Sequence, residues 1–108
     1  MGKITIRSKR RGLRNAEIQK TMVLSTQHVS DTDYHALKKL ADNGSAIEFV
    51  AYNTIRVLVL SPEDFKGTVS KTVMRFIKYA HSVGCTWLVL DPDASTLKGL
   101  KTFKGVRI

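Results

Sequence analysis

The sequence predicts an α+β domain of four strands and two helices, in the order β-α-β-β-α-β, behind a basic N-terminal arm. Three observations carry that expectation. Four short runs, "TMVLSTQ", "AIEFVAY", "TIRVLVL" and "CTWLVLD", are apolar and rich in β-branched residues. Two segments between them place apolar residues at helical spacing, with start and stop signals on either side. The charge is uneven: residues 1–20 hold seven Lys or Arg against one Glu, so +6 of the net +9 lies in the first fifth of the chain.

The elements follow in order. "KITIR", residues 3–7, alternates polar and apolar as a short strand does, and "SKRRGLRNAEIQK" then loses the period. Residues 1–20 are therefore read as a basic arm with partial structure, and residues 21–108 as a single α+β domain, which the length of 108 residues supports. "TMVLSTQ", residues 21–27, is the first strand, β1. In "SDTDYHALKKLADNG", Ser30 is a natural N-cap, Asp31 and Asp33 sit where the helix dipole favours carboxylates, and Asn43-Gly44 stops the helix. Tyr34, Leu37, Leu40 and Ala41 form the apolar stripe of this helix, α1. "AIEFVAYNTIRVLVL" reads as two strands of a hairpin, β2 over 46–52 and β3 over 54–60, turning at Asn53-Thr54.

"SPEDF" is a helix start, with Ser61 as cap and Pro62 at the first helical position. Gly67 interrupts, and the main part of this second helix, α2, places Val69, Val73, Phe76, Ile77, Ala80 and Val83 on one face, up to Gly84 at its C-terminal stop. "CTWLVLD", residues 85–91, is β4. "TLKGL" suggests one helical turn, and "KTFKGVRI" is a basic tail with room for a short last strand. With right-handed crossovers this order predicts the ferredoxin-like, or split βαβ, arrangement. The sheet would be antiparallel overall, in the order β4-β1-β3-β2, with β1 and β3 parallel at its centre and both helices on one face. A mixed sheet with the N-terminal segment as a fifth strand is the variant.

Two groups of residues carry a family resemblance: "TMVLSTQHVSDTDYHALKKLA", and "GCTWLVLDPDASTLKGLKTF" near the end. Together, from about residue 21 to residue 103, they resemble an uncharacterised family of small bacterial proteins encoded on plasmids, prophages and integrative elements, often near antirestriction genes. The resemblance implies a cytoplasmic accessory protein acting on host defence or on DNA. It carries over no catalytic residue, and it leaves the basic segment 1–20 outside.

The remaining residues exclude more than they assign. One cysteine, Cys85, permits no intrachain disulfide, so a reducing cytoplasm is the default expectation. The apolar runs fall far short of the roughly 20 residues of a membrane span, and the basic start is not followed by the apolar stretch of a signal peptide. "KRRGLR" lacks the apolar face of a mitochondrial presequence. His28, His35 and His81 lack metalloprotease spacing. Asp91 and Asp93 read as a turn whose carboxylates accept backbone hydrogen bonds, at the opposite end of the expected sheet from His28. The expected sheet does bring the end of β1, with His28, to the start of β4, with Cys85, but a cysteine opening a strand reads better as a small buried hydrophobe than as a nucleophile. No Gly-rich phosphate loop is present. No catalytic residue, metal or cofactor is expected.

Nucleic acid is the partner that a pI of about 10.0 favours. The aromatic pattern of an RNA-binding sheet is missing, because β1 and β3 offer no aromatic, and Phe49, Tyr52 and Trp87 fall on expected edge strands. What remains is electrostatic: Lys3, Arg7, Lys9, Arg10, Arg11, Arg14 and Lys20 in the arm, Arg56, a stripe on α2, and Lys98, Lys101, Lys104 and Arg107 toward the end. The expected function is therefore non-enzymatic binding of DNA or RNA through the arm, backed by Lys101, Lys104 and Arg107, with no membrane involved. The alternative is an inhibitor or adaptor docking on a host protein or ribonucleoprotein, of the anti-defence, anti-restriction or anti-CRISPR type. A third expectation concerns the sheet. Alternate residues of "TIRVLVL" face opposite ways, so its helix-free side needs a cover: residues 3–7, a partner, or a second copy in a homodimer.

Overall fold

The structure, a computed structural model, describes residues 16–42, 46–50 and 53–103. Its elements begin where the capping residues place them. Ser30 Oγ accepts the amide of Asp33 at 3.1 Å and opens α1, Asp31–Asp42. Ser70 Oγ accepts the amide of Val73 at 3.2 Å and opens α2, Lys71–Ser82. Ser70 also donates to Asp33 Oδ2 at 2.8 Å, tying the two helix starts together. "PEDF" is a separate 3-10 turn, Pro62–Phe65, rather than the first turn of α2. Gly67, at φ +81°, takes the chain out of it. Gly84, at φ +87°, ends α2 as the sequence indicates, and Cys85 N donates back to Ala80 O at 2.9 Å.

The strands are β1 Thr21–Ser25, β2 Ile47–Val50, β3 Thr54–Leu58 and β4 Trp87–Asp91, in the sheet order β1-β4-β3-β2. β1 and β4 run parallel, Thr21 beside Trp87 and Ser25 beside Asp91. β4 is antiparallel to β3, and β3 to β2. The expected order β4-β1-β3-β2 is thus corrected: β1 lies outermost, and its parallel partner is β4, not β3. The cause lies in the side chains. On the helix side β4 buries Leu88 and Leu90 fully, and on the other side Trp87 and Val89 are half-buried between neighbouring strands, whereas in "TMVLS" Thr21 and Val23 stand exposed, as suits an edge strand. β1 is also shorter than expected, because residues 26–28 tighten into a 3-10 turn, Thr26–His28, and β3 stops before Val59 and Leu60.

Both helices pack on one face of the sheet. α1 lies chiefly on β2 and α2 on β4. Between them and the sheet sits one core that includes Leu24, Tyr34, Leu37, Ile47, Ile55, Val57, Ile77, Leu88 and Leu90. Beyond β4, "TLKGL" makes a turn, with Leu100 N bonded to Leu97 O at 3.2 Å and Gly99 at φ +86°. Residues 101–103 then return to the end of β1, where Phe103 N donates to Gln27 O at 2.7 Å. The short strands expected over residues 3–7 and in the terminal tail lie outside, or run beyond, the described residues.

Candidate nucleic-acid interface

Strand alternation sorts the sheet residues between its faces. Leu24, Ile55, Val57, Leu88 and Leu90 point to the helices, so their neighbours Val23, Arg56, Leu58, Trp87 and Val89 point to the other side. Among the described residues no helix covers that side. The register brings Val23, Val89, Arg56 and Glu48 into one row across all four strands, and Thr21, Trp87 and Leu58 into the next. Arg56 joins the rows: its guanidinium lies 4.3 Å from the centre of the Trp87 ring, and its Nη2 is 2.6 Å from Glu48 Oε2.

Neither contact holds Arg56 strongly. The ion pair is 40% exposed on the arginine side and 51% on the glutamate side, and such pairs contribute about 0.2–1 kcal/mol. Stacking on the indole adds about 0.5–1 kcal/mol. Arg56 Nε, in addition, has no hydrogen-bond partner among the described residues. The arrangement is therefore easy to displace.

Trp87 is the aromatic that sequence reasoning places on an edge strand. The structure puts it on a central strand, on the helix-free side, so the absence of a central aromatic is corrected. Two continuous apolar runs, "VLVL" and "WLVL", are the signal that could have identified β3 and β4 as the central pair.

The chain enters the sheet beside this indole. Gln19 Oε1 accepts from Trp87 Nε1 at 3.0 Å, and Lys20 O accepts from Thr86 N at 2.8 Å. Lys20 Nζ donates to Val83 O at 2.9 Å. Of the other expected binding residues, Lys101 lies with its ammonium 4.9 Å from the Phe103 ring centre. It shares a cavity of about 180 Å³ with Arg75, His28 and Phe103. A larger apolar groove of about 530 Å³, lined by Met22, Phe76, Tyr79, Leu97 and Leu100, adjoins it at Arg75. Lys3, Arg7, Lys9, Arg10, Arg11, Arg14, Lys104 and Arg107 lie outside the described residues. Those eight, with no acid among residues 1–15 or 104–108, leave the described body with ten Lys or Arg against nine Asp or Glu.

The parallel pairing of β1 with β4 overturns two geometric expectations. Cys85 precedes β4 and His28 follows β1, so the full strand length of about 16 Å separates them rather than bringing them together. Cys85 is buried, as expected of a small hydrophobe. Conversely, Asp91 and Asp93 are at the same end as His28, not the opposite one. They still form a turn, Asp93 N donating to Asp91 Oδ1 at 2.8 Å, and among the described residues no group of three metal-ligating side chains occurs.

His28 has a role that no motif announces. It is fully buried, and both ring nitrogens bind main chain: Nε2 accepts from Leu97 N at 2.9 Å, and Nδ1 lies 2.8 Å from Lys101 O. An amide can only donate, so Nε2 carries the lone pair and Nδ1 the proton, which it donates to the carbonyl. The neutral ring thereby fastens the segment 97–103 to the end of β1. Sequence patterns are silent about it, because both partners are backbone groups.

Among the described residues no helix is long and apolar enough to cross a membrane. Neither a curated protein nor a solved structure matches the chain. Residues 21–105 match the model of the C-terminal domain of a family of unknown function, DUF5983. That match starts at the first residue of β1 and leaves residues 1–20 outside. With more than three-quarters of its length matched, the chain belongs to this family.

Proposed function

We propose that this chain binds nucleic acid without catalysing a reaction, its basic terminal segments gripping phosphates while the folded body positions them. The observation that carries this is the distribution of charge. A body with nearly balanced charge is flanked by segments holding eight cations and no acid. Charge needed only for solubility would have no reason to leave the body, whereas contacts to a phosphate backbone favour clustered Lys and Arg. The resemblance of "TMVLSTQHVS" and "WLVLD" supports a setting in the cytoplasm of a bacterium, on a plasmid, prophage or integrative element.

The test is salt-dependent binding of a labelled oligonucleotide by the full chain and by a chain lacking residues 1–14. That deletion removes Lys3, Arg7, Lys9, Arg10, Arg11 and Arg14. The slope of log affinity against log salt should flatten by about 4 for a single strand, since each phosphate neutralised by a cation contributes about 0.7 to it. Absence of binding at about 50 mM salt, or a slope unchanged by the deletion, overturns the proposal. A protein partner captured from nuclease-treated host lysate, and retained at moderate salt, would instead favour the inhibitor or adaptor reading.

A further inference from the structure

We infer that the helix-free sheet face is a stacking platform for an unpaired base, so that the nucleic acid bound is single-stranded. This rests on the electrostatic reading above and deepens it. The face and the arm offer different chemistry. Arg56 and Glu48 cancel in charge, and the rest of the row, Val23 and Val89, is apolar, so the face supplies surface rather than charge. Its aromatic is Trp87, the only tryptophan of the chain, at the centre of the sheet. Bases stack on aromatic rings and on guanidinium planes, and Trp87 with Arg56 presents the two already layered, 4.3 Å apart.

A duplex cannot use such a platform, because its base faces are covered by neighbouring pairs. Reading a duplex through a groove needs a protruding element with several donors, and among the described residues this face is a sheet with few side-chain donors, those of Arg56, Thr21 and Trp87. A single strand fits both parts of the molecule. Gln19 fastens the chain at the edge of the indole. Arg14 follows within five residues and Arg11 within eight, at most about 18 and 28 Å of extended chain. Chain length alone thus lets Arg14 and Arg11 reach the phosphates that flank a base seated on Trp87. Arg56, whose Nε has no hydrogen-bond partner among the described residues, either keeps its place and carries the base on its outer face or yields it to the base.

The single tryptophan makes the test direct. The full chain is titrated with an oligothymidine of about 12 nucleotides, and with a duplex of the same length. Binding is followed by anisotropy of a label on the DNA, and stacking by Trp87 emission. The expected result is quenching of Trp87 by the single strand, and none by the duplex at equal occupancy. Trp87→Ala should weaken single-strand binding by about 10- to 100-fold and duplex binding not at all. Because that variant removes a half-buried side chain, the quenching on the unaltered chain decides the matter if the variant does not fold. Single-strand binding without quenching overturns the platform and leaves the electrostatic reading standing. No binding of either DNA overturns both. Emission that shifts with protein concentration in the absence of DNA places a second copy on the face and overturns the platform.

Discussion

The two ends of β1 are fastened in opposite ways. At its start, Gln19 and Lys20 reach Trp87 and Val83 through exposed hydrogen bonds, and every residue from 16 to 20 is exposed. At its finish, Ser25, Thr26 and His28 are all buried, and His28 binds two backbone groups of the segment that follows β4. Water can replace the first set of bonds at little cost and the second less readily, because those bonds are part-buried and end on a buried ring. Residues 16–20 are therefore attached to the fold, while residues 97–103 are part of it. The difference also separates the expected binding residues. Lys101 stands on a firmly held strap, and Lys104 and Arg107 follow it, whereas the six cations before residue 15 precede a lightly held entry.

His28→Ala is the largest expected break in this contrast. It orphans Leu97 N–H and Lys101 C=O and opens a void beside Phe76 and Leu100. The loss should be about 2–4 kcal/mol, read from urea denaturation. A loss below about 1 kcal/mol would mean that water replaces the ring at no great cost, and that the strap is no better anchored than the arm.

Gly99→Ala probes the same strap more gently. A Cβ there meets nothing within 4 Å, so crowding plays no part, and the strain comes from φ +86° alone. About 1 kcal/mol is expected. Faster hydrogen exchange should be confined to the amides of Leu97, Leu100 and Phe103, which close the turn and join it to His28 and Gln27. Exchange that rises equally throughout α2 would show that strap and helix open as one unit.

Local signals are the legible part of this fold. The Ser30 cap, Gly84 after α2, and the alternation in β3 rest on residues interacting with their own neighbourhood, so the sequence displays them. The cap at Ser70 escapes even that reading, since "SPEDF" offers a stronger start signal with its cap nine residues earlier, at Ser61, and makes only a 3-10 turn. Strand order depends on which apolar run is wanted at the centre. The competition between "TMVLS" and "WLVL" is settled by how strongly each run is buried in the assembled sheet, with Thr21 and Val23 exposed and no residue of β4 exposed, which periodicity alone does not weigh. The platform escapes a sequence reading as a consequence, for Trp87 then counts as an edge residue. His28 is out of reach altogether, because its partners are main-chain groups some seventy positions away.

Deletion of residues 1–14 should leave stability within about 0.5 kcal/mol of the full chain, since the exposed contacts of Gln19 and Lys20 stay in place. A larger loss would mean that the basic segment covers the sheet and contributes to the fold as well as to binding. Comparing denaturation midpoints of the two chains at high salt, where repulsion among the arm's cations is screened, isolates that contribution.

The smallest effect is expected at Gln19, and it makes the sharpest comparison. Gln19→Ala removes the acceptor of the Trp87 indole N–H, at a site where water is at hand to replace it. Stability should again change by less than about 0.5 kcal/mol. Trp87 emission should nonetheless shift, because the indole N–H passes from an amide oxygen to solvent. The deletion of residues 1–14 keeps Gln19 and should not produce that shift. Together the two variants separate a segment that merely touches the platform from one that holds it in place. If Gln19→Ala costs more than about 1 kcal/mol, the start of β1 is fastened through a bond that solvent cannot replace. The contrast between its two ends then fails.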